Sequence, residues 1–176
     1  DRLVDAYDAA LRTDAKSAFG GIVALNRECD AATAASITDS FKEVVVAPGY
    51  TDTALNHLRE KSNLRVLSLG PRDGSLDSDM QSDTDGESGV SLAEQPIRGG
   101  RLLQQHDDWA PTDDDLAVVT ERAPTPAQRR TMHFAWRTIK HVKSNAILFA
   151  TGTETVGVGA GQVSRVDAVE IAKMKA

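Results

Sequence analysis

Two glycine-rich segments place backbone amides where a ligand could reach them. Gly20-Gly21 stands directly before a short apolar run, and residues 156–165, Val-Gly-Val-Gly-Ala-Gly-Gln-Val-Ser-Arg, follow a second run and lead into a helical pattern. Glycine allows close approach to backbone N–H groups, and a helix N-terminus favours anionic or polar ligands. Arg165 could pair with a carboxylate or phosphate. Taken alone, the first segment is better explained by a tight turn that leads into the strand. The second is no dinucleotide fingerprint, because Gln162 replaces its last glycine.

Two polar side chains stand at the starts of apolar runs. Glu43 precedes Val44–Ala47, where its carboxylate could accept hydrogen bonds from a ligand amine or amide. An exposed acid at a strand end is the alternative. Asn145 precedes Ala146–Ala150 and must find partners for both a donor and an acceptor. It could bind a ligand carboxamide or cap a turn.

Other chemistries have weak support in the sequence. Cys29 is the single cysteine, which excludes an intramolecular disulfide and favours a structural thiol. The four histidines are widely spaced and form no zinc-binding pair on a helix. No P-loop or G-x-S-x-G elbow occurs. The acidic clusters lack the ligand spacing and turn glycine of a calcium loop, so we expect no metal site.

The elements that must position these residues follow from the spacing of apolar residues. We predict a helix over 2–12, a buried strand over 20–25, a helix over 31–41 capped by Asp30, a buried strand over 43–47, a helix over 52–61 and a third strand over 64–69. Further predictions are strands over 97–105 and 118–120, a helix from Pro126 to about His141, a strand pair over 146–150 and 155–158, and a final helix over 164–175. This order predicts an α/β fold with a parallel sheet.

The acidic residues are concentrated in two stretches. Residues 70–95 are rich in Asp, Ser and Gly and are predicted to form a mobile surface insertion, and a second acidic cluster includes Asp107, Asp108 and residues 113–115. The formal net charge is -6, which disfavours nucleic acid as a partner. The apolar runs are too short for a membrane span. Two solvated loops would explain the acids, and so would a salt-adapted surface.

Four segments along nearly the whole chain carry long, distinctive motifs. Residues 14–27 are Asp-Ala-Lys-Ser-Ala-Phe-Gly-Gly-Ile-Val-Ala-Leu-Asn-Arg, and residues 41–48 are Phe-Lys-Glu-Val-Val-Val-Ala-Pro. Residues 134–147 contain Lys-His-Val-Lys-Ser-Asn-Ala, and residues 156–167 contain the glycine-rich segment. In this order the motifs resemble the AICAR transformylase/IMP cyclohydrolase family of purine biosynthesis. The first resembles the family stretch D-P-V-S-A-F-G-G-I-V-A-x-N-R, the second resembles its next strand, and the last two match almost letter for letter.

The resemblance implies a fold and an activity. The fold would be a three-layer α/β/α arrangement of cytidine-deaminase-like subdomains without zinc. The activity would be formyl transfer from 10-formyltetrahydrofolate to the 5-amino group of AICAR, giving FAICAR. Residues 1–176 would be part of this transformylase domain, and the IMP cyclohydrolase domain would lie outside them. The resemblance further implies a cytoplasmic homodimer with active sites shared across subunits, and we include a monovalent cation as a possible ion.

The resemblance also implies roles for five residues. Gly20 would offer its backbone to AICAR, Glu43 would bind the nucleotide part, and Asn145 would hydrogen-bond the AICAR carboxamide. Arg165, with the backbone of Val166, would contact the folate. No catalytic residue is assigned, because the family's Lys-His pair belongs to a K-H-x-x-P-x-G motif and Lys140-His141 is not in that context. We therefore expect this chain alone to have little or no transformylase activity. The alternative is a catalytically inactive nucleotide-binding or regulatory module.

Overall fold

The computed structural model describes residues 2–70, 92–107 and 109–176. It is a mixed α/β structure, as the order of predicted elements indicated. Contacts between Cα atoms divide the chain into two compact units. The first comprises Asp1–Pro71 and Pro111–Ala176, and the second comprises Arg72–Ala110. No helix within the described ranges is long and apolar enough to cross a membrane.

The first half of the larger unit contains a parallel three-stranded sheet. Its elements are α1 (Leu3–Thr13), β1 (Gly21–Ala24), α2 (Ala31–Thr38), β2 (Lys42–Ala47), α3 (Asp52–Arg59) and β3 (Arg65–Ser68). The sheet order is β1-β2-β3, with Val45 of β2 opposite Val23 and Val66. Asp30 caps α2 as predicted, because its carboxylate accepts from the Thr33 amide at 2.8 Å. That helix ends at Thr38, three residues before the predicted end.

The core of this half gathers around the central strand. Val45 and Ala47 of β2 are fully buried together with Ile37 of α2 and Ala54 of α3. The prediction that β1 is buried was wrong, since Ile22 is 71% exposed. Burial on both faces requires neighbours that β1, at one edge of the three-stranded sheet, does not have. β3, at the other edge, is also mostly exposed.

The second half of the larger unit is an antiparallel strand pair with two helices. α4 (Pro126–Ile139) begins with the predicted capping box of Thr125 and Gln128. β6 (Ile147–Thr151) and β7 (Glu154–Gly159) form the predicted hairpin, and α5 (Arg165–Lys175) packs on β7. The predicted strand at residues 118–120 is wrong. This stretch is neither helix nor strand, and Val119 is 90% exposed, because no strand in the described part of the chain pairs with it.

The smaller unit contains a β-hairpin. β4 (Leu92–Ile97) pairs antiparallel with β5 (Gly100–Gln105) around a turn at Arg98 and Gly99. Residues 92–95, the last four of the predicted acidic insertion, form most of β4. The rest of that prediction, including mobility, falls mainly on residues 71–91, which lie outside the described residues.

The acidic cluster at residues 113–115 is structured in the larger unit. It forms a short 3-10 helix in which Asp115 accepts from the Thr112 amide at 2.8 Å. Asp113 lies 2.9 Å from His133 Nε2, and this hydrogen bond lowers the pKa of the Asp113 carboxyl. Two of the three acids therefore have specific hydrogen-bond partners, which the interpretation as a solvated loop did not predict.

An ion pair joins the two halves of the larger unit. Lys175, near the end of α5, donates to the carboxylate of Asp14, which follows α1. That hydrogen bond, with further ones from Ser17, lowers the pKa of Asp14 from 3.8 to about 2. A carboxyl whose pKa is lower in the folded chain stabilises it above the unfolded pKa and loses that effect as the pH falls.

We expect Asp14→Asn to remove part of the acid sensitivity of the fold. The wild-type chain should lose stability between about pH 4 and pH 2 more steeply than the variant, because only the wild type must protonate this paired carboxylate. Urea unfolding at a series of pH values measures this. Asp114→Asn, which removes an exposed acid, is the control and should follow the wild-type curve. Identical curves for Asp14→Asn and wild type would contradict the expectation.

Candidate functional site

Gly20 and Glu43 lie side by side at the start of the parallel sheet. The turn before β1 places Gly20 at φ +70°, a conformation that favours glycine. The Gly20 amide donates to the carbonyl of Phe41 at 3.0 Å, which ties the turn to the residue before β2. Glu43, exposed on β2, has Oε1 3.7 Å from the position a Cβ on Gly20 would take. We call these residues, with Phe19 and Phe41, the first group.

Glu43 is exposed, and its carboxylate adjoins Gly20, which has no side chain of its own and is flanked by the ring of Phe41. Such an acceptor can bind an amine or hydroxyl of a ligand whose ring approaches the glycine closely. The Gly20 N–H is engaged with Phe41, so a ligand would meet other atoms of this peptide. The structure thus brings together two residues that the sequence placed 23 positions apart.

Asn145 tethers the loop between β7 and α5. Its backbone amide donates to the Gln162 carbonyl at 3.1 Å, and its carbonyl accepts from the Gln162 amide at 3.1 Å. Its side-chain Nδ2 donates to the carbonyls of Gln162 and Val163, at 3.0 Å each. Because both protein acceptors use the Nδ2 donor, a ligand carboxamide would meet the Oδ1 oxygen. Asn145 therefore holds the loop in place, a role similar to the turn cap that was the alternative to carboxamide binding.

Arg165 and Val166 form the first turn of α5, next to this loop. Ser164 caps the helix, and its Oγ accepts from the Val166 amide at 3.2 Å. The Val166 N–H is thus engaged, while its side chain is 65% exposed. Arg165 is exposed and can present its guanidinium to an anion. We call Asn145, Gln162, Arg165 and Val166 the second group.

The glycines of residues 156–161 have different roles from those first considered. A Cβ on Gly157 would overlap the carbonyl oxygen of Ala172, and one on Gly159 would overlap that of Ala168. These two glycines allow α5 to pack closely on β7. Gly161, at φ +65°, donates its amide to the Lys143 carbonyl at 2.6 Å and so helps to hold the loop. Helix packing and loop closure, rather than a ligand, account for this spacing.

The sequence predicted no role for Phe19 or Phe41. Their ring centroids lie 5.3 Å apart at an interplanar angle of 46°, and the rings are exposed by 72% and 44% for Phe19 and Phe41. The two residues are separated by 22 positions, so no local pattern could have paired them. The contact becomes visible only once β1 and β2 are adjacent.

Two cavities adjoin the parallel sheet, and Phe41 of the first group lines one of them. One of about 430 Å³ lies between α1 and β1 and is lined mainly by apolar residues, with Tyr7 and Lys42 on its wall. The other, of about 320 Å³, lies at the ends of α2 and α3. Neither is lined by Gly20, Glu43 or a residue of the second group. The predicted site residues therefore lie on surfaces, not in these cavities.

Cys29 has the environment of a structural thiol. It is fully buried, and burial, with a smaller effect of Asp30, raises the pKa of its thiol to about 11. A protonated, inaccessible thiol is a poor nucleophile. Among residues 2–70, 92–107 and 109–176, no group of three or more His, Cys, Asp or Glu side chains could hold a metal ion.

The described residues form an α/β protein with two candidate groups, of which the first offers a carboxylate and the second a carboxamide and a guanidinium. A family model described as AICARFT/IMPCHase bienzyme matches residues 1–175. The bifunctional purine biosynthesis protein PurH of Myxococcus xanthus (strain DK1622) is 46% identical over 173 residues, which is 98% of this chain and 32% of that protein. The chain belongs to the AICARFT/IMPCHase bienzyme family.

Other relatives agree in identity and coverage. PurH of Nostoc sp. (strain PCC 7120) is 45% identical over 172 residues, covering 98% of this chain and 31% of that protein. PurH of Enterococcus faecalis (strain ATCC 700802) is 44% identical over 170 residues, covering 97% and 31%. The chain thus spans about a third of the length of the curated relatives it matches.

Proposed function

We propose that the chain is part of an AICAR transformylase domain that acts in purine biosynthesis. In the proposed reaction, the formyl group of 10-formyltetrahydrofolate passes to the 5-amino group of AICAR, and FAICAR forms. The juxtaposition of Gly20 and Glu43 in the Ser-Ala-Phe-Gly-Gly and Phe-Lys-Glu-Val motifs supports this most strongly, since it builds one polar surface from two motifs of the family. A cytidine-deaminase-like fold without zinc is part of the proposal.

The proposed roles follow from the chemistry of each group. Glu43 accepts hydrogen bonds from the nucleotide part of AICAR beside the backbone of Gly20. Asn145 offers Oδ1 to the amide protons of the carboxamide. Arg165, with Val166, contacts the folate, since a guanidinium suits a cofactor that carries carboxylates and carbonyls. The first and second groups would serve one active site, shared between the subunits of a homodimer.

Formyl transfer needs more than these residues supply. The AICAR amine is conjugated with its carboxamide and is a poor nucleophile, so the reaction requires accurate placement, a base for the amine proton and stabilisation of the oxyanion on the formyl carbon. The residues of the two groups can place the substrates. The motif K-H-x-x-P-x-G does not occur among the 176 residues, so the proton-transfer pair is not assigned to this chain.

We expect the chain to bind AICAR without turning it over. Calorimetry should show AICAR binding, and a spectrophotometric assay with AICAR and 10-formyltetrahydrofolate should show no turnover at either low or high salt. Robust turnover by the 176-residue chain would contradict the assignment of catalysis to residues outside it. Binding without turnover also agrees with the second candidate, an inactive nucleotide-binding or regulatory module. Turnover by a longer protein that contains these residues would favour the transformylase over the inactive module.

Glu43→Gln tests the carboxylate directly. The variant keeps the size of the side chain but removes its charge, and we expect AICAR affinity to fall by about tenfold or more, because hydrogen bonds to charged acceptors are stronger than neutral ones. Glu121→Gln, between the 3-10 helix and α4, removes an exposed acid that belongs to neither group and lines neither cavity, and it should bind AICAR like the wild type. Equal affinity for Glu43→Gln and wild type would exclude Glu43 from the nucleotide site.

The proposal includes the cellular setting. A cytoplasmic homodimer fits the resemblance, with AICAR and the folate as its small-molecule ligands and a monovalent cation as a further ion. The excess of acidic over basic residues, 26 against 20, supports a salt-adapted surface.

A further inference from the structure

Phe41 connects three parts of the first group. Its backbone carbonyl accepts the Gly20 amide at 3.0 Å. Two atoms of its ring, Cε1 and Cδ1, lie 3.7 Å and 3.8 Å from the position a Cβ on Gly20 would take. The ring also packs against Phe19, with 5.3 Å between centroids. Glu43, two residues further along the chain, has its Oε1 3.7 Å from the same position.

The backbone at Phe41 is held independently of its ring. Lys42, which is 95% buried, has its Nζ 2.5 Å from Ser40 Oγ and 3.5 Å from the Phe41 carbonyl oxygen. The strand that follows is anchored in the core through Val45. Removal of the ring should therefore leave the start of β2 in place. The turn that carries Gly20 is in direct contact with the ring. Its other end is held at Ser17, whose amide donates to Asp14 Oδ1 at 3.1 Å and whose Oγ lies 3.4 Å from Lys175 Nζ.

We propose that Phe41 is a positioning residue that holds the Gly20 turn, residues 17–21, over the carboxylate of Glu43. Its ring, which packs on the ring of Phe19, lies against Gly20. The hydrogen bond from the Gly20 amide to the Phe41 carbonyl holds the backbone of the turn. The ligand then meets the Gly20 peptide and the Glu43 carboxylate at a fixed separation. This inference rests on the proposed role of Gly20 and Glu43 in nucleotide binding. It predicts that Phe41, to which the resemblance assigns no role, affects that binding.

The partial exposure of both rings supports a local role. Phe41 is 44% exposed and Phe19 is 72% exposed, so neither belongs to the buried core. Aromatic pairs in such tilted arrangements are favourable beyond the area they bury. The pair lies at the surface, and its Phe41 ring contacts Gly20. Its main effect is therefore to order the Gly20 turn, and its contribution to the stability of the whole fold is smaller.

Hydrogen exchange of the Gly20 amide measures the order of the turn without any ligand. By NMR, Phe41→Leu should speed exchange at Gly20 by roughly three- to tenfold, the range that an aromatic pair supplies. Exchange at Val45, in the middle of β2, should not change. Phe41→Tyr keeps the ring and should behave like the wild type. Phe149→Leu, which replaces a similarly exposed ring on β6, is the matched control and should leave Gly20 unchanged.

AICAR binding supplies the second readout. Phe41→Leu should weaken AICAR affinity by at least the same factor, while Phe41→Tyr and Phe149→Leu keep it. Unchanged Gly20 exchange in Phe41→Leu would overturn the inference, and so would faster exchange with unchanged affinity. A wild-type chain that does not bind AICAR would contradict the proposed function of this chain. The exchange data would then decide by themselves whether Phe41 orders the turn.

Discussion

Asn145→Asp is expected to destabilise the chain more than Asn145→Ala, although aspartate is nearly the same size as asparagine. The Nδ2 group of Asn145 donates to two carbonyl oxygens, those of Gln162 and Val163, at 3.0 Å each. Alanine removes both hydrogen bonds, which should cost about 1–3 kcal/mol. Aspartate places a carboxylate, which only accepts, against the same two oxygens, and the cost should rise to about 2–4 kcal/mol.

Urea unfolding followed by circular dichroism measures the difference. Asn63→Asp, at an exposed position before β3, is the control and should change the free energy of unfolding by no more than about 0.5 kcal/mol. Both variants at 145 should also lose AICAR binding, since each removes the side-chain amide proposed to bind the AICAR carboxamide. An Asn145→Asp variant as stable as Asn145→Ala would show that Nδ2 does not hold the loop.

Gly159→Ala should destabilise the chain by about 3 kcal/mol or more, because overpacking against backbone cannot be relieved by a rotamer change. The added Cβ would overlap the carbonyl oxygen of Ala168, a fully buried residue of α5. The helix would have to move away from β7, and its first turn carries Arg165 and Val166. Binding of the folate should therefore weaken together with stability.

Gly100→Ala is the matched control for this substitution. Gly100 begins β5, has no positive φ, and a Cβ there would have no atom within 4 Å. We expect its free energy of unfolding to stay within about 0.5 kcal/mol of the wild type. If Gly159→Ala were as mild as Gly100→Ala, the close approach of α5 to β7 would be incorrect.

Local signals in the sequence predicted most elements correctly. Asp30 before α2, and Thr125 with Pro126 and Gln128 before α4, are capping residues whose effect depends only on neighbours within a few positions. The β-branched run of β2 likewise predicted its own strand. These features are confirmed because the interactions that determine them are short-range.

The errors arose where a residue's environment depends on distant parts of the chain. Val118 and Val119 have the residue types of a strand, yet a strand exists only with a partner, and no described strand pairs with them. Ile22 looked buried because its run is apolar, but its strand lies at a sheet edge. Pro96 and the polar residues of β4 gave little strand signal, so the strand predicted over 97–105 missed residues 92–96 and ran through the turn at 98–99.

In the candidate site, too, features set by neighbouring residues were predicted and features that depend on distant parts of the chain were not. Glu43 and Asn145 could be singled out because a polar residue at the start of an apolar strand is unusual. The closeness of Glu43 to Gly20 and the ring contact of Phe19 with Phe41 required strand order. The roles of Gly157 and Gly159 required the position of α5, which no spacing within 156–165 reveals.

An NMR titration of the 176-residue chain with AICAR tests the central claim most directly. If the first and second groups bind the same nucleotide, the backbone amides of Gly20 and Asn145 will shift along one saturation curve with a single Kd. The amide of Val119, which lies in neither group, will not shift. If either Gly20 or Asn145 is unaffected at saturating AICAR, the two groups do not form one nucleotide site and the account is contradicted.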